Sequence, residues 1–236
     1  MNSKIAGIIG LMSLALAGCV TPETTPSPKG NVPTVDAKSV PLPSGRAARN
    51  FFAVVQRIEP VAERECELRT ERQDCDFIIL VDDRVGQPPN AFFTLDERGR
   101  PLIAFTVALL EDARNEDELA IVMGHEAAHH ILGHIILTLQ NQRAGAMAGA
   151  IAASVLGRDV REGANLGAVI GARRYSQDFE LQADGLGTII AAQAGYDPLV
   201  GLAYFDRIVD PGNQALGSHP ANARRIAVVR ETLAGL

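Results

Sequence analysis

The sequence predicts an α+β fold, mainly α, with a small sheet of about three strands and one long buried helix. Three observations predict it. Aromatic residues make up only 5% of the chain, with no Trp, while Ala and Gly are abundant, a composition suited to helices packed closely through small side chains. Short apolar runs separated by turn residues lie between positions 77 and 107 and read as strands. From Asn115 onward, a stretch with helix-start signals is apolar on nearly every face.

At 236 residues and 47% hydrophobic, the chain can bury one sizeable core but hardly two, so a single folded domain is expected. The formal net charge is -6 and no Lys/Arg run stands out, which argues against a phosphate-tracking surface and against nucleic acid as a partner. The sequence leaves the oligomeric state unknown.

The first residues read as an address. Lys4 precedes an apolar run, Ile5 to Ala17, too short to span a bilayer but suited to a secretory signal. The run closes on Leu16-Ala17-Gly18-Cys19, which resembles the lipobox of bacterial lipoproteins. That resemblance implies a signal peptide over 1–18, a lipidated Cys19 and a membrane held by the lipid anchor only. Val20, where Asp would commonly signal inner-membrane retention, favours the periplasmic face of the outer membrane. The alternative is an ordinary signal peptide with an incidental Cys. Residues 19–45 are rich in Thr, Ser and Pro, carry six of the thirteen prolines, and read as a tether reaching roughly 30 to 80 Å. The folded domain is expected over 46–236.

Cys66 and Cys75 remain, and in an exported chain a local disulfide is the simplest expectation. A metal role is the alternative, although the spacing fits no common zinc pair.

Helical apolar spacing through Phe51, Val54, Val55, Ile58 and Val61 predicts a first helix over 47–65, which Pro60 is expected to cut short. The run Phe77 to Val81 reads as a strand. Ala91 to Leu95 and Leu102 to Val107 flank a Gly-containing turn and read as a hairpin. Asn115 is placed to cap the next helix, with Glu118 reaching back as a capping box, and the helix is expected to run to about Gln140 through the interior. Residues 144–172 are Ala/Gly-rich, and their central charges leave apolar pieces of about fourteen and nine residues, each below the roughly 20 that span a bilayer. Close-packed helices or a mobile lid over the cleft are the two readings. A further helix over about 176–194 stops at Gly195, Asp197-Pro198 starts a short one that Asp210-Pro211-Gly212 ends, and the last begins at Pro220.

The chemistry concentrates in His125-Glu126-Ala127-Ala128-His129. On a helix, positions i and i+4 project from one face, so both imidazoles can reach one zinc ion, and Glu126 stands beside them as general base. A third ligand is needed. His134 lies nine residues after His125, about 900° around a continuous helix, which turns it away; His130 is likewise turned, and both read as structural or surface residues. Glu180 and Asp184 share a face of the later helix. Glu180 can complete the zinc sphere while Asp184 accepts the ring N–H of His125; a solvated acidic face is the alternative.

His125 to His129, Glu180 to Asp184, Gly195-Tyr196-Asp197-Pro198, and His219-Pro220 followed by Arg225 together resemble the gluzincin zinc metallopeptidases of the type I CAAX prenyl protease family. The resemblance covers roughly 46–236, and with the lipobox it points to the exported bacterial lipoprotein branch. It implies a gluzincin-type fold with a small mixed sheet packed on the HExxH helix, and one Zn2+ per chain held by His125, His129 and Glu180. Glu126 is then the general base and acid, and Asp184 steadies a ligand. The family's His-Pro histidine corresponds to His219, as transition-state stabiliser or extra zinc ligand, with a plain helix-cap role also open. Arg225 corresponds to the arginine that would face the developing oxyanion. Gln182 and Gln177 depart from the family's usual glutamate and arginine without touching a ligand.

The implied function is zinc-dependent endoproteolysis of protein or peptide substrates, misfolded envelope proteins above all, entering as a strand along Asn90 to Thr94. One rival is a zinc-binding assembly factor with little proteolysis, which would have no use for Glu126. The other is a membrane-embedded protein built on 144–172, which the internal charges disfavour.

Overall fold

The computed structural model describes residues 43–174, 176–208 and 221–236. The expected signal peptide, Cys19, nearly all of the expected tether, the expected Asp210-Pro211-Gly212 stop, His219 and Pro220 lie outside them.

Helix α1 (Gly45–Arg69) starts at Ser44, whose hydroxyl accepts the Ala47 N–H, and it runs straight through Pro60. The expected break does not occur. Pro60 is exposed, so the carbonyl it displaces faces water, while Ile58, Val61 and Ala62 anchor the other face in the core. Past α1, a Cys66–Cys75 disulfide with Cα atoms 5.7 Å apart ties the chain back before the sheet.

The sheet has three strands, β1 (Ile78–Asp82), β2 (Ala91–Leu95) and β3 (Pro101–Thr106), in the order β1-β3-β2. β1 runs parallel to β3 with Ile79 opposite Ile103, and β2 runs antiparallel with Phe93 opposite Ile103. The sheet is mixed, and central β3 is the most buried strand. Its turn from β2 is set by Asp96, whose carboxylate accepts the Arg98 and Arg100 N–H groups at 2.8 Å each.

A short helix α2 (Val107–Asp112) leads to α3 (Glu116–Ile131), the buried axis of the core. Asn115 caps α3 by accepting the Glu118 N–H at 2.9 Å. Glu118 reaches one residue further back than a capping box requires, to the Arg114 N–H. The helix expected to continue to Gln140 ends at Ile131, because Gly133 adopts the left-handed conformation (φ 68°) and its N–H bonds the His130 carbonyl. The chain restarts in a new direction as α4 (His134–Val155), whose Ile136, Leu137 and Leu139 are exposed rather than interior.

The Ala/Gly-rich segment forms close-packed helices, α4 against α5 (Val160–Arg174). The contact requires glycine: a Cβ on Gly145 would meet the Gly167 carbonyl oxygen at 2.1 Å, and one on Gly149 would meet that of Gly163 at 2.1 Å. No described helix is long and apolar enough to cross a membrane.

Helix α6 (Ser176–Gln193) packs back on α3 and stops at Gly195 (φ 82°). Short helices α7 (Pro198–Gly201), capped by Asp197, and α8 (Ala203–Arg207) follow, and α9 (Asn222–Ala234) lies against α6. Among the described residues, one apolar core extends from Ala47 of α1 through Phe105, Leu119 and Met123 to Ile190 and Val229.

Candidate metal centre

Two helices build the site. α3 and α6 cross with backbones nearly touching, since a Cβ on Gly124 would lie 2.6 Å from the Gly187 oxygen and one on Gly187 would lie 2.6 Å from the His125 nitrogen. This approach seats the first half of α6 over the His125 face of α3. The His125 and His129 rings stand one turn apart with Nε2 atoms 3.0 Å from each other. Glu180 closes the triangle, with Oε2 3.4 Å from His125 Nε2 and Oε1 3.5 Å from His129 Nε2.

The donor atoms fit a single cation. One atom from each of His125, His129 and Glu180 lies within 4.8 Å of the other two. Two imidazoles and a carboxylate form a common zinc donor set that leaves a position open for chemistry. The second nitrogen of each ring is occupied on the far side. His125 Nδ1 donates to Asp184 Oδ1 at 2.9 Å, and Asp184 in turn accepts Arg225 Nη2 at 2.6 Å and Nε at 2.8 Å. Burial would raise the Asp184 pKa, but the Arg225 and His125 hydrogen bonds outweigh it and hold the carboxylate below its ordinary range. An ionised Asp184 can only accept, so His125 carries its proton on Nδ1 and turns the other nitrogen toward the centre.

His129 is held by a residue that the helical reading turned away. Its Nδ1 lies 2.8 Å from His134 Nδ1. The break at Gly133 swings His134 back to the site, buried, with its ring stacked on Phe179 at 4.5 Å and its Nε2 3.4 Å from Gln182 Oε1. Burial lowers the His134 pKa, so the neutral ring is able to accept the His129 N–H and donate to Gln182. Gly133 itself was the available signal, because glycine followed by a fresh apolar run is a helix-stop pattern. His130 points elsewhere, its Nε2 2.6 Å from the Asp74 carbonyl oxygen and its ring against Phe77 and Phe93.

Glu126 lies beside the donors and lines the same cleft. Burial pushes its pKa up and the Glu180 charge adds to this, while His125, Arg225 and the Phe93 N–H pull the other way without prevailing. A carboxylate with a raised pKa suits proton transfer near neutrality. Arg225, the residue expected to face an oxyanion, directs its Nε and Nη2 to Asp184, and its guanidinium carbon lies 4.0 Å from the centre of the Phe205 ring. It also lines the cleft together with His125 and Glu126. β2, the expected edge for an extended substrate, is an edge strand, and Ala91, Phe92 and Phe93 border the cleft.

Residues 52–233, spanning every element of the site, match Peptidase family M48. The chain belongs to that family. M48 members are metallopeptidases, which accords with a donor set that fits zinc. Among curated relatives, the chain is 30% identical over 166 residues to the putative beta-barrel assembly-enhancing protease of Vibrio cholerae, an alignment covering 61% of this chain and 34% of the relative. It is 27% identical over 139 residues to metalloprotease LoiP of Escherichia coli, covering 52% of each. The mitochondrial metalloendopeptidase OMA1 of Arabidopsis thaliana matches at 27% over 128 residues, covering 52% of this chain and 26% of the relative. The chain thus spans between about a quarter and a half of the length of these relatives.

Proposed function

We propose that this M48 chain is a zinc endopeptidase that cuts proteins of the bacterial envelope. One observation carries the catalytic part: His125, His129 and Glu180 converge on one point, with Glu126 lining the same cleft. These three residues would hold the ion. A zinc ion there supplies Lewis acidity, which polarises a peptide carbonyl and makes water easier to deprotonate. Glu126 takes the proton of the attacking water and delivers it to the departing amine. Asp184, with Arg225 behind it, keeps His125 in one tautomer, and His134 does the same for His129. The edge of β2 offers backbone groups to an extended peptide. His219 is assigned to the same chemistry by the His-Pro resemblance alone.

The envelope part of the proposal rests on different support. The Leu16-Ala17-Gly18-Cys19 sequence fits a lipid anchor, and four of the matched relatives are named beta-barrel assembly-enhancing protease, one of them as putative. Together they favour the lipoprotein branch of the CAAX-protease-like peptidases, with misfolded or stalled envelope proteins as substrates.

The test compares wild type with Glu126→Gln for bound zinc and for degradation of casein. The expected result is equal zinc in both and cleavage only by wild type. Absence of zinc from both proteins would overturn the assignment, and zinc-loaded wild type that leaves casein intact would favour a binding role.

A further inference from the structure

Helices α4 and α5 leave most of their own surface uncovered. They pack chiefly on each other and otherwise on α3 and α6 near the hairpin base. Of α4 only His134 and Ala153 are buried, and no described side chain of α5 is. The glycine contact explains which side chains turn outward. Gly145 and Gly149 meet Gly167 and Gly163, so Met147 and Ile151, two residues further on and about 200° around the helix, lie on the far side. Val155 extends the same row, and the three are 68%, 62% and 80% exposed. On α5, Leu166, Val169 and Ile170 are exposed as well.

A contiguous apolar face of this kind marks a surface that something else covers. The charges around it indicate what. The chain has a formal net charge of -6, yet residues 134–173 carry four arginines against Asp159 and Glu162. Arg143 and Arg173 flank the apolar rows at the base and Arg158 and Arg161 at the tip, all exposed. Both carboxylates lie at the tip, so neither row is interrupted by negative charge. Apolar rows between arginines match the surface of an anionic bilayer, where acyl chains accept the rows and phosphates accept guanidinium groups on flexible stems. The chain ahead of the fold supplies a second argument. A lipid on Cys19 and a tether reaching roughly 30 to 80 Å keep the domain beside such a surface.

We propose that the outer face of the α4–α5 hairpin docks on anionic phospholipid, lying in the interface without crossing it. The proposal rests on the envelope reading above and gives the chain a second contact with lipid besides the anchor. Ile135 and Leu139 at the base of α4 line the cleft, so docking holds the metal centre beside the lipid surface.

The chain contains no Trp, so a single introduced one reports only its own surroundings. Full-length Met147→Trp is reconstituted into vesicles of phosphatidylethanolamine and phosphatidylglycerol in equal parts, and its quenching by lipid brominated on the acyl chains is measured. Leu199→Trp is the control, because α7 packs on Asp117 at the opposite end of α3 from α4. The expected result is blue-shifted, quenched emission from Met147→Trp and none from Leu199→Trp. Exchanging phosphatidylglycerol for phosphatidylcholine, or adding Arg158→Glu and Arg161→Glu, should lower the ratio of docked to undocked hairpin on the order of tenfold. Equal quenching at the two positions, or an unquenched Met147→Trp, overturns the docking. A blue shift without quenching that fades as the protein is diluted in lipid would place a second copy on this face. One induced by denatured casein alone would place an unfolded protein there, and either result overturns the proposal. Mass spectrometry of Cys19 separates the two readings: a lipidated chain with unquenched Met147→Trp overturns the docking alone, and an unlipidated Cys19 overturns the envelope reading and the docking that rests on it.

Discussion

His129 Nδ1 lies 2.8 Å from His134 Nδ1, although five residues along an unbroken helix would turn the two rings about 140° apart. The left-handed step at Gly133 makes the contact possible, and it gives each candidate ligand histidine its own partner: Asp184 for His125, His134 for His129. The two partners differ in kind. Asp184 is a buried anion and strengthens the donor it holds; His134 is a neutral ring that fixes orientation while adding no charge.

Replacing His134 with Ala should weaken zinc binding about 10- to 100-fold, the usual consequence of removing the group behind a histidine ligand. Competition against a chelator of known affinity measures it. His134→Asn retains an acceptor oxygen and should recover part of the loss. Unchanged affinity in His134→Ala would mean that His129 is held by helix packing alone.

Removing Arg225 should be costly in a different currency. Asp184 is fully buried and anionic, and Arg225 is its only described cationic partner other than the ring of His125. Arg225→Ala leaves that charge with the His125 ring alone and should destabilise the fold by about 1–3 kcal/mol. Calorimetric melting of the metal-free protein checks this without reference to activity. A loss below about 1 kcal/mol would show that the His125 ring alone suffices to hold Asp184.

Local features explain what the sequence revealed of this site. HExxH places two ligands by helix geometry alone, and Asn115 and the Asp96 turn announce their elements with neighbours a few residues away. Glu180 is 51 residues beyond His129, and helical spacing offered it as a third ligand only beside the alternative of a solvated acidic face, until the family resemblance favoured the ligand. The Asp184–Arg225 pair, 41 residues apart, has no periodicity to betray it. The same holds for β1, which pairs with β3 on the side away from the β2 hairpin. His134 was misplaced because helical phase was carried across Gly133, and one residue with positive φ resets that phase.

Acid sensitivity should centre on Glu118, which is buried and accepts Arg207 at 2.6 and 2.8 Å and the Arg114 N–H at 2.9 Å. Burial raises its pKa, but these partners outweigh burial and hold it below the ordinary 4.5. The unfolded chain therefore binds a proton at higher pH than the folded one does. The stability that Glu118 contributes is complete above about pH 4.5 and is lost as pH falls through its folded pKa. Urea titrations of wild type and Glu118→Gln should converge as the medium is acidified and differ most near neutrality. A gap independent of pH would sink the assignment.

The helical hairpin offers the sharpest separation of local from global stability. Gly167 lies where a Cβ would meet the Gly145 oxygen at 2.1 Å, a contact between two backbones in which no side chain is free to move aside. Gly167→Val must therefore part α4 from α5, a strain on the order of 1–3 kcal/mol or more. The catalytic core does not depend on that contact, since α3 packs on α1 and α6 through Leu119, Met123 and Ala127. Hydrogen exchange should thus show faster exchange over 140–170 while amides of 119–128 stay protected. Leu166→Ser, next to it but 63% exposed, should change neither. The three residues that converge on the centre lie on α3 and α6, so Gly167→Val should retain zinc. Uniform loss of protection across both segments would instead mean that the hairpin and the core unfold as one cooperative unit.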